Sequence, residues 1–307
     1  VLIRYGRRVT FLDDELTRMT SVEGGLPAGE ADGDWFYAIS PPTFFFFYEE
    51  PPDVGAGLTA LLNDGLAAAV RAQPRHLVAM AALPMQDARR AVVEMERARN
   101  ELGMRAVYVG SNVNGRGLDA VEFWPVYEAA EALGMPIFIH PRSSDLAGAD
   151  RMQDYFIINL VGNPVDTTLA AARLVLGGVL ERFPGLQVCL AHGGGYLALA
   201  AGRIGRGYKV HPACRHAVSR APGELLQRFY VDTIVHAPAA LAYLVDFFGA
   251  DHVLCGSDYP FQIGDTDPIA TIRSVPGLSA TEQRLILCDN AARLLALGPA
   301  MTTSGAD

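Results

Sequence analysis

Three apolar runs of this chain end on side chains that can hold a metal ion or move a proton. PIFIHP ends on His140, LQVCLAHGGG on His192 and VLCGSDYP on Asp258. Imidazole nitrogen and carboxylate oxygen are common zinc ligands, and a catalytic Zn²⁺ keeps one position open for water. One histidine at the end of an apolar run is more often a packing residue than a catalytic one. Three such residues, each following an apolar run, are hard to explain by packing if those runs lie side by side.

Residues 35–40, 77–83, 105–109, 136–140, 186–190, 229–233 and 253–257 read as strands. Segments 57–72, 88–102, 119–133, 165–183, 196–207, 238–248 and 281–297 read as helices. Short apolar runs bounded by Pro and Gly suit strands buried on both faces. Alternation of strands with helices implies parallel strands joined by helical crossovers. A doubly wound open sheet and a (β/α)8 barrel with one strand out of view both fit. With no GxGxxG or Walker sequence to support a nucleotide-binding sheet, the expected fold is a distorted (β/α)8 TIM barrel, its first strand missing or truncated. Its active site would lie at the C-terminal strand ends, where His140, His192 and Asp258 stand. The glycines after His192 are expected to let a ligand approach closely. The expected layout is an irregular hairpin segment over 1–34, the barrel over 35–298 and a tail over 299–307.

At 307 residues and 50% hydrophobic content, the chain suffices for a barrel of about 250 residues with additions. A net charge of −9 without basic runs argues against nucleic acid or an anionic membrane as a main partner. There is no apolar window of about 18 residues and no basic segment leading into an apolar one, so neither a membrane span nor a secretory signal is read. The four cysteines are far apart, and Cys189 and Cys255 fall within strand-like runs. Buried thiols in a reducing cytoplasm are expected. The aromatic run from Phe44 to Tyr48 cannot all face one core. It reads as a cover over the barrel mouth, with Phe46 against substrate, or as a packing strip at an interface.

FIHP, RMxxYF at Arg151, LVGNPVDTT, GGVLERFPGLQVCLAHGGG, GRI at Gly202 and GSDYPF, in that order, resemble the decarboxylase branch of the amidohydrolase superfamily. LPMQDARRAVVEMERARNELG and FWPVYEAAEALGMPIFIHP are similar to it as well. The resemblance implies a metal-dependent, non-oxidative decarboxylase acting on an unsaturated or aromatic carboxylate, with Zn²⁺ or another divalent ion and a homodimer. It implies metal ligation by His140 and Asp258, with Asp258 also in the catalytic set. His192 becomes the acid/base. Arg203 matches an arginine reaching a substrate carboxylate across the dimer interface, and a guanidinium fork suits that task. Phe261 matches a pocket aromatic, and Phe156 stands where the family has tryptophan.

Two departures matter. The family's first strand ends in His-x-His, which supplies two further metal ligands, and no His-x-His occurs in this sequence. Bare barrel edges and a two-ligand metal site would both be unfavourable, so the coding region is expected to begin upstream of Val1. The second departure is HPR in place of the usual HPW, which adds Arg142 as a positive charge beside the site. The alternatives are a hydrolase or hydratase on the same barrel, or a metal-free barrel with a binding or scaffold role.

Overall fold

The computed structural model describes residues 37–297, except 75, 143 and 144. The segment expected as a hairpin and the expected tail lie outside the described residues. One sheet contains β1 (Tyr37–Ile39), β2 (Leu77–Ala82), β3 (Ala106–Gly110), β4 (Ile137–His140), β5 (Val188–Leu190), β6 (Tyr230–Asp232) and β7 (Val253–Leu254). Every neighbouring pair is parallel, and the order in the sheet is the order in the chain. A doubly wound sheet reverses its strand order at a switch point. No reversal occurs among these strands, so crossovers of one hand curl the sheet in the manner of a TIM barrel.

The longer crossover helices are α1 (Pro52–Ala72), α2 (Ala88–Asn100), α3 (Trp124–Leu133), α4 (Asn163–Leu176), α5 (Leu197–Val210) and α6 (Pro238–Phe248). Helix α1 begins five residues before the expected position because Pro52 occupies its first turn, where a missing N–H costs nothing. It buries Leu62, Leu66 and Ala67 against the sheet. Asn63 on that face is also buried, and its amide bonds both the N–H (2.9 Å) and the C=O (3.0 Å) of Ala82. That pairing satisfies backbone groups at the end of β2 and pins the helix to the strand.

The helix expected over 165–183 is broken in two. Helix α4 stops at Leu176, and a short turn, Val179–Arg182, follows Gly178, whose φ is 81°. The last helix, expected over 281–297, runs without a break from Ala280 to Leu294 and contains one widened turn over Leu285–Asp289. Inside the barrel, Met80, Tyr108, Phe138 and Cys189 bound a small space of about 40 Å³ that reaches His140, His192 and Asp258. No helix among the described residues is long and apolar enough to cross a membrane. All four cysteines are free thiols, with Cys189 and Cys255 buried.

Candidate active site

The three residues singled out from the sequence converge. His140 closes β4, His192 follows β5, and Asp258 stands in the loop after β7. A ligand atom from each lies within 4.8 Å of the others. The imidazoles of His140 and His192 meet edge to face, with centroids 4.7 Å apart. His140 Nδ1 lies 2.6 Å from the Pro141 carbonyl oxygen, which can only accept, so Nδ1 carries the proton and Nε2 keeps its lone pair. His192 Nδ1 is buried without a hydrogen-bond partner in the structure. This set of neutral imidazole and carboxylate donors suits a divalent cation.

Burial dominates the electrostatics. It pushes His140 down to about 3, with repulsion from His192 adding to the effect. His192 goes down to about 4 through burial and then through His236. Burial also pushes the Asp258 carboxyl up to about 7, and the neighbouring Asp232 carboxylate raises it further. Both histidines are therefore neutral and ready to ligate or to accept a proton at neutral pH, whereas Asp258 becomes a ligand only by losing its proton.

The backbone around these residues is strained. His192, His236 and Asp258 have φ of 57°, 54° and 51°, a region that costs side-chain-bearing residues about 1–3 kcal/mol each. Asp232, at the end of β6, holds the first of these turns. Its carboxylate accepts the backbone N–H of His192 (3.0 Å), Gly193 (2.8 Å) and Ile234 (3.0 Å). The glycines after His192 make the turn possible. Gly193, Gly194 and Gly195 all have positive φ. A Cβ on Gly195 would lie 2.1 Å from the Pro164 carbonyl oxygen on α4.

A cavity of about 390 Å³ opens onto the cluster, bounded by Thr43, Phe44, Glu49, Arg142, Asn163 and Phe261 besides His140, His192 and Asp258. Phe261 thus stands where the sequence reading expects it. Phe46 does not: it is fully buried and stacked on Tyr48 with centroids 5.2 Å apart. A single helical turn over Thr43–Phe45 sends Phe44 to the cavity and Phe46 to the core. Arg142 lines the cavity, but its guanidinium is engaged by Glu49 and Asp145 and lies 5.4 Å from the Tyr48 ring centroid. The Arg142 fork in turn holds the Glu49 carboxyl below its usual range. Arg203 lies on the exposed side of α5, and Phe156 is exposed with φ of 60°; neither bounds the cavity within one chain.

Asp232 and Glu49 escaped the sequence reading. Asp232 carried the same signal as the chosen three, an acidic residue closing an apolar strand in FYVD. Glu49 carried none, since its partner lies 93 residues away.

A curled parallel sheet with His140, His192 and Asp258 gathered at its C-terminal strand ends is the arrangement of a barrel enzyme, and the chain belongs to the amidohydrolase family, whose model matches residues 33–297. Its relatives within that family are named as decarboxylases. It is 38% identical over 249 residues to 2-amino-3-carboxymuconate-6-semialdehyde decarboxylase of Dictyostelium discoideum, covering 81% of this chain and 69% of that one. It is 29% identical over 251 residues to a gamma-resorcylate decarboxylase of Polaromonas sp., covering 76% and 75%. The solved structure of 5-carboxyvanillate decarboxylase from Sphingomonas paucimobilis matches with a TM-score of 0.79 at 26% identity, over 86% of this chain and 79% of that one. A dihydroxybenzoic acid decarboxylase from Polaromonas sp., solved with manganese and an inhibitor, matches with a TM-score of 0.71 at 26% identity, over 80% and 77%.

Proposed function

We propose that this chain is a divalent-metal-dependent, non-oxidative decarboxylase of an unsaturated or aromatic carboxylic acid, its substrate resembling 2-amino-3-carboxymuconate 6-semialdehyde. The observation that carries this reading is the convergence of His140, His192 and Asp258 on a cavity of about 390 Å³, a size suited to a small-molecule ligand. His140 and Asp258 would supply two of the cation's ligands. When bound, it supplies Lewis acidity toward a coordinated oxygen. Zn²⁺ is the ion we assign, on the His and Asp donors; manganese in the Polaromonas neighbour supports a divalent ion in general.

His192 moves the proton. Its imidazole is neutral when the cavity is empty of substrate, because burial disfavours the cation. A carboxylate entering the same cavity raises its proton affinity. His192 then takes up a proton from water and delivers it to the carbon bearing the carboxylate, which becomes tetrahedral. The bond to the carboxyl carbon breaks, its electron pair restores the double bond, and CO₂ leaves. Arg203 is assigned to the partner subunit's substrate in a homodimer, supported by its exposure on α5 beside exposed Leu199. Phe156 is assigned to the same mouth and Phe261 to the cavity wall. The buried free thiols support a cytoplasmic location.

Turnover in D₂O enriched in H₂¹⁸O tests the reaction class. The expected product carries one deuterium at the carbon that lost its carboxyl group, and no ¹⁸O. Incorporation of ¹⁸O into the product would instead identify a hydrolase or hydratase.

A further inference from the structure

Arg142 is the one cationic side chain among the residues that bound the cavity, which otherwise presents Glu49 and Asp258 to an entering acid. Both edges of its fork are already occupied, by two carboxylates of different character. Asp145 takes Nε at 3.1 Å and shares Nη2. It is three residues away, with only 16% of its side chain exposed, and its own N–H donates to the Arg142 carbonyl at 3.1 Å. It is a fixed partner. Glu49 takes the other edge end-on, Nη1 at 2.8 Å and Nη2 as well. It comes from the loop after β1, and 57% of its side chain is exposed, against 5% for Arg142.

This two-point contact with Glu49 has the geometry in which a guanidinium recognises any carboxylate. The edge of Arg142 that Glu49 occupies is thus a preformed carboxylate seat, a few residues from the metal-binding histidine of β4. Glu49 has a long, half-exposed side chain that can leave for water, while Asp145 keeps the buried Arg142 guanidinium paired. We propose that Glu49 is an exchangeable internal carboxylate: it fills the Arg142 seat in the free protein, and an acid entering the cavity displaces it. Arg142 and Glu49 together then set selectivity for acids carrying a carboxylate in addition to the one that reacts. This rests on the carboxylic-acid substrate class proposed above.

Binding of non-reacting probes separates the two readings. Isophthalate and benzoate are titrated calorimetrically into the manganese-equilibrated protein, its Glu49→Ala and Glu49→Gln variants, and Glu50→Ala as a control for general charge. Loss of this internal competitor is expected to tighten isophthalate binding about 2- to 5-fold in both Glu49 variants. Benzoate, with one carboxylate, is expected to gain less, and Glu50→Ala to change neither. Unchanged or weakened isophthalate binding in the Glu49 variants would make the pair a fixed structural latch and overturn the proposal. An equal gain in Glu50→Ala would reduce it to long-range repulsion and overturn it too. Because these probes do not turn over, a tightened seat in a protein that releases no CO₂ would refute the decarboxylase reading alone.

Discussion

Asp232→Asn tests how the active-site turn is held. The carboxylate accepts three backbone N–H groups, those of Gly193 and Ile234 on one oxygen and that of His192 on the other. An amide oxygen can keep the first two. Its NH₂ group then faces the His192 N–H, donor against donor, and that bond is lost. Loss of one charge-assisted bond and weakening of the other two removes about 2–3 kcal/mol. That equals the cost of holding His192 at φ 57°, so the turn should relax and carry the imidazole away from His140. If about 2 kcal/mol of positioning is lost in the transition state, kcat falls roughly 30-fold. The same loss would lower the melting temperature by about 4–8 °C. Steady-state kinetics and thermal unfolding on protein of matched manganese content measure both, with the larger change expected in kcat because Asp232 acts through the His192 turn. A variant with parental kcat and an unchanged melting temperature would show that Asp232 does not hold the turn.

Three further outcomes follow from the same geometry. Gly195→Ala should cost about 3 kcal/mol or more in urea unfolding, since the new methyl meets a backbone carbonyl and φ is 64°; a cost under about 0.5 kcal/mol would contradict the packing described. Manganese affinity should fall about tenfold per pH unit below pH 7 and level off above it. The reason is that Asp258, raised to about 7, must lose its proton to ligate, whereas His140, lowered to about 3, is already neutral; a profile flat from pH 5.5 to 8 would refute this. His192→Ala should keep its metal content by elemental analysis and lose turnover, and retained turnover would remove its assigned role.

Much of the site was legible because a buried parallel strand leaves a distinctive trace: a short apolar run, then a polar side chain where the backbone opens at the mouth. His140, His192 and Asp258 carry that trace, and so does Asp232, because a carboxylate that holds backbone N–H groups looks the same in sequence as one that faces the cavity. The aromatic run shows the limit. Which of four consecutive phenylalanines faces the cavity depends on one helical turn at Thr43–Phe45 and a φ of 54° at Phe47, and no spacing rule encodes either. Arg142 shows a second limit. Its type promised a free positive charge, but its partner Glu49 is brought beside it only by closure of the sheet from β1 to β4. The break of the helix expected over 165–183 at Gly177 and Gly178 was written in the sequence and outweighed by the apolar periodicity around it.

The central claim is that the His140–His192–Asp258 cluster makes this chain a metal-dependent decarboxylase. The most direct measurement is CO₂ release from a panel of unsaturated and aromatic acids, including 2-amino-3-carboxymuconate 6-semialdehyde and dihydroxybenzoates. It is made with the protein as prepared, after removal of metal by chelation, and after return of Zn²⁺ or Mn²⁺. The account predicts one CO₂ per acid consumed, lost on chelation and restored by the ion. CO₂ release that survives full metal removal, or its absence across the panel from metal-loaded protein, would contradict it.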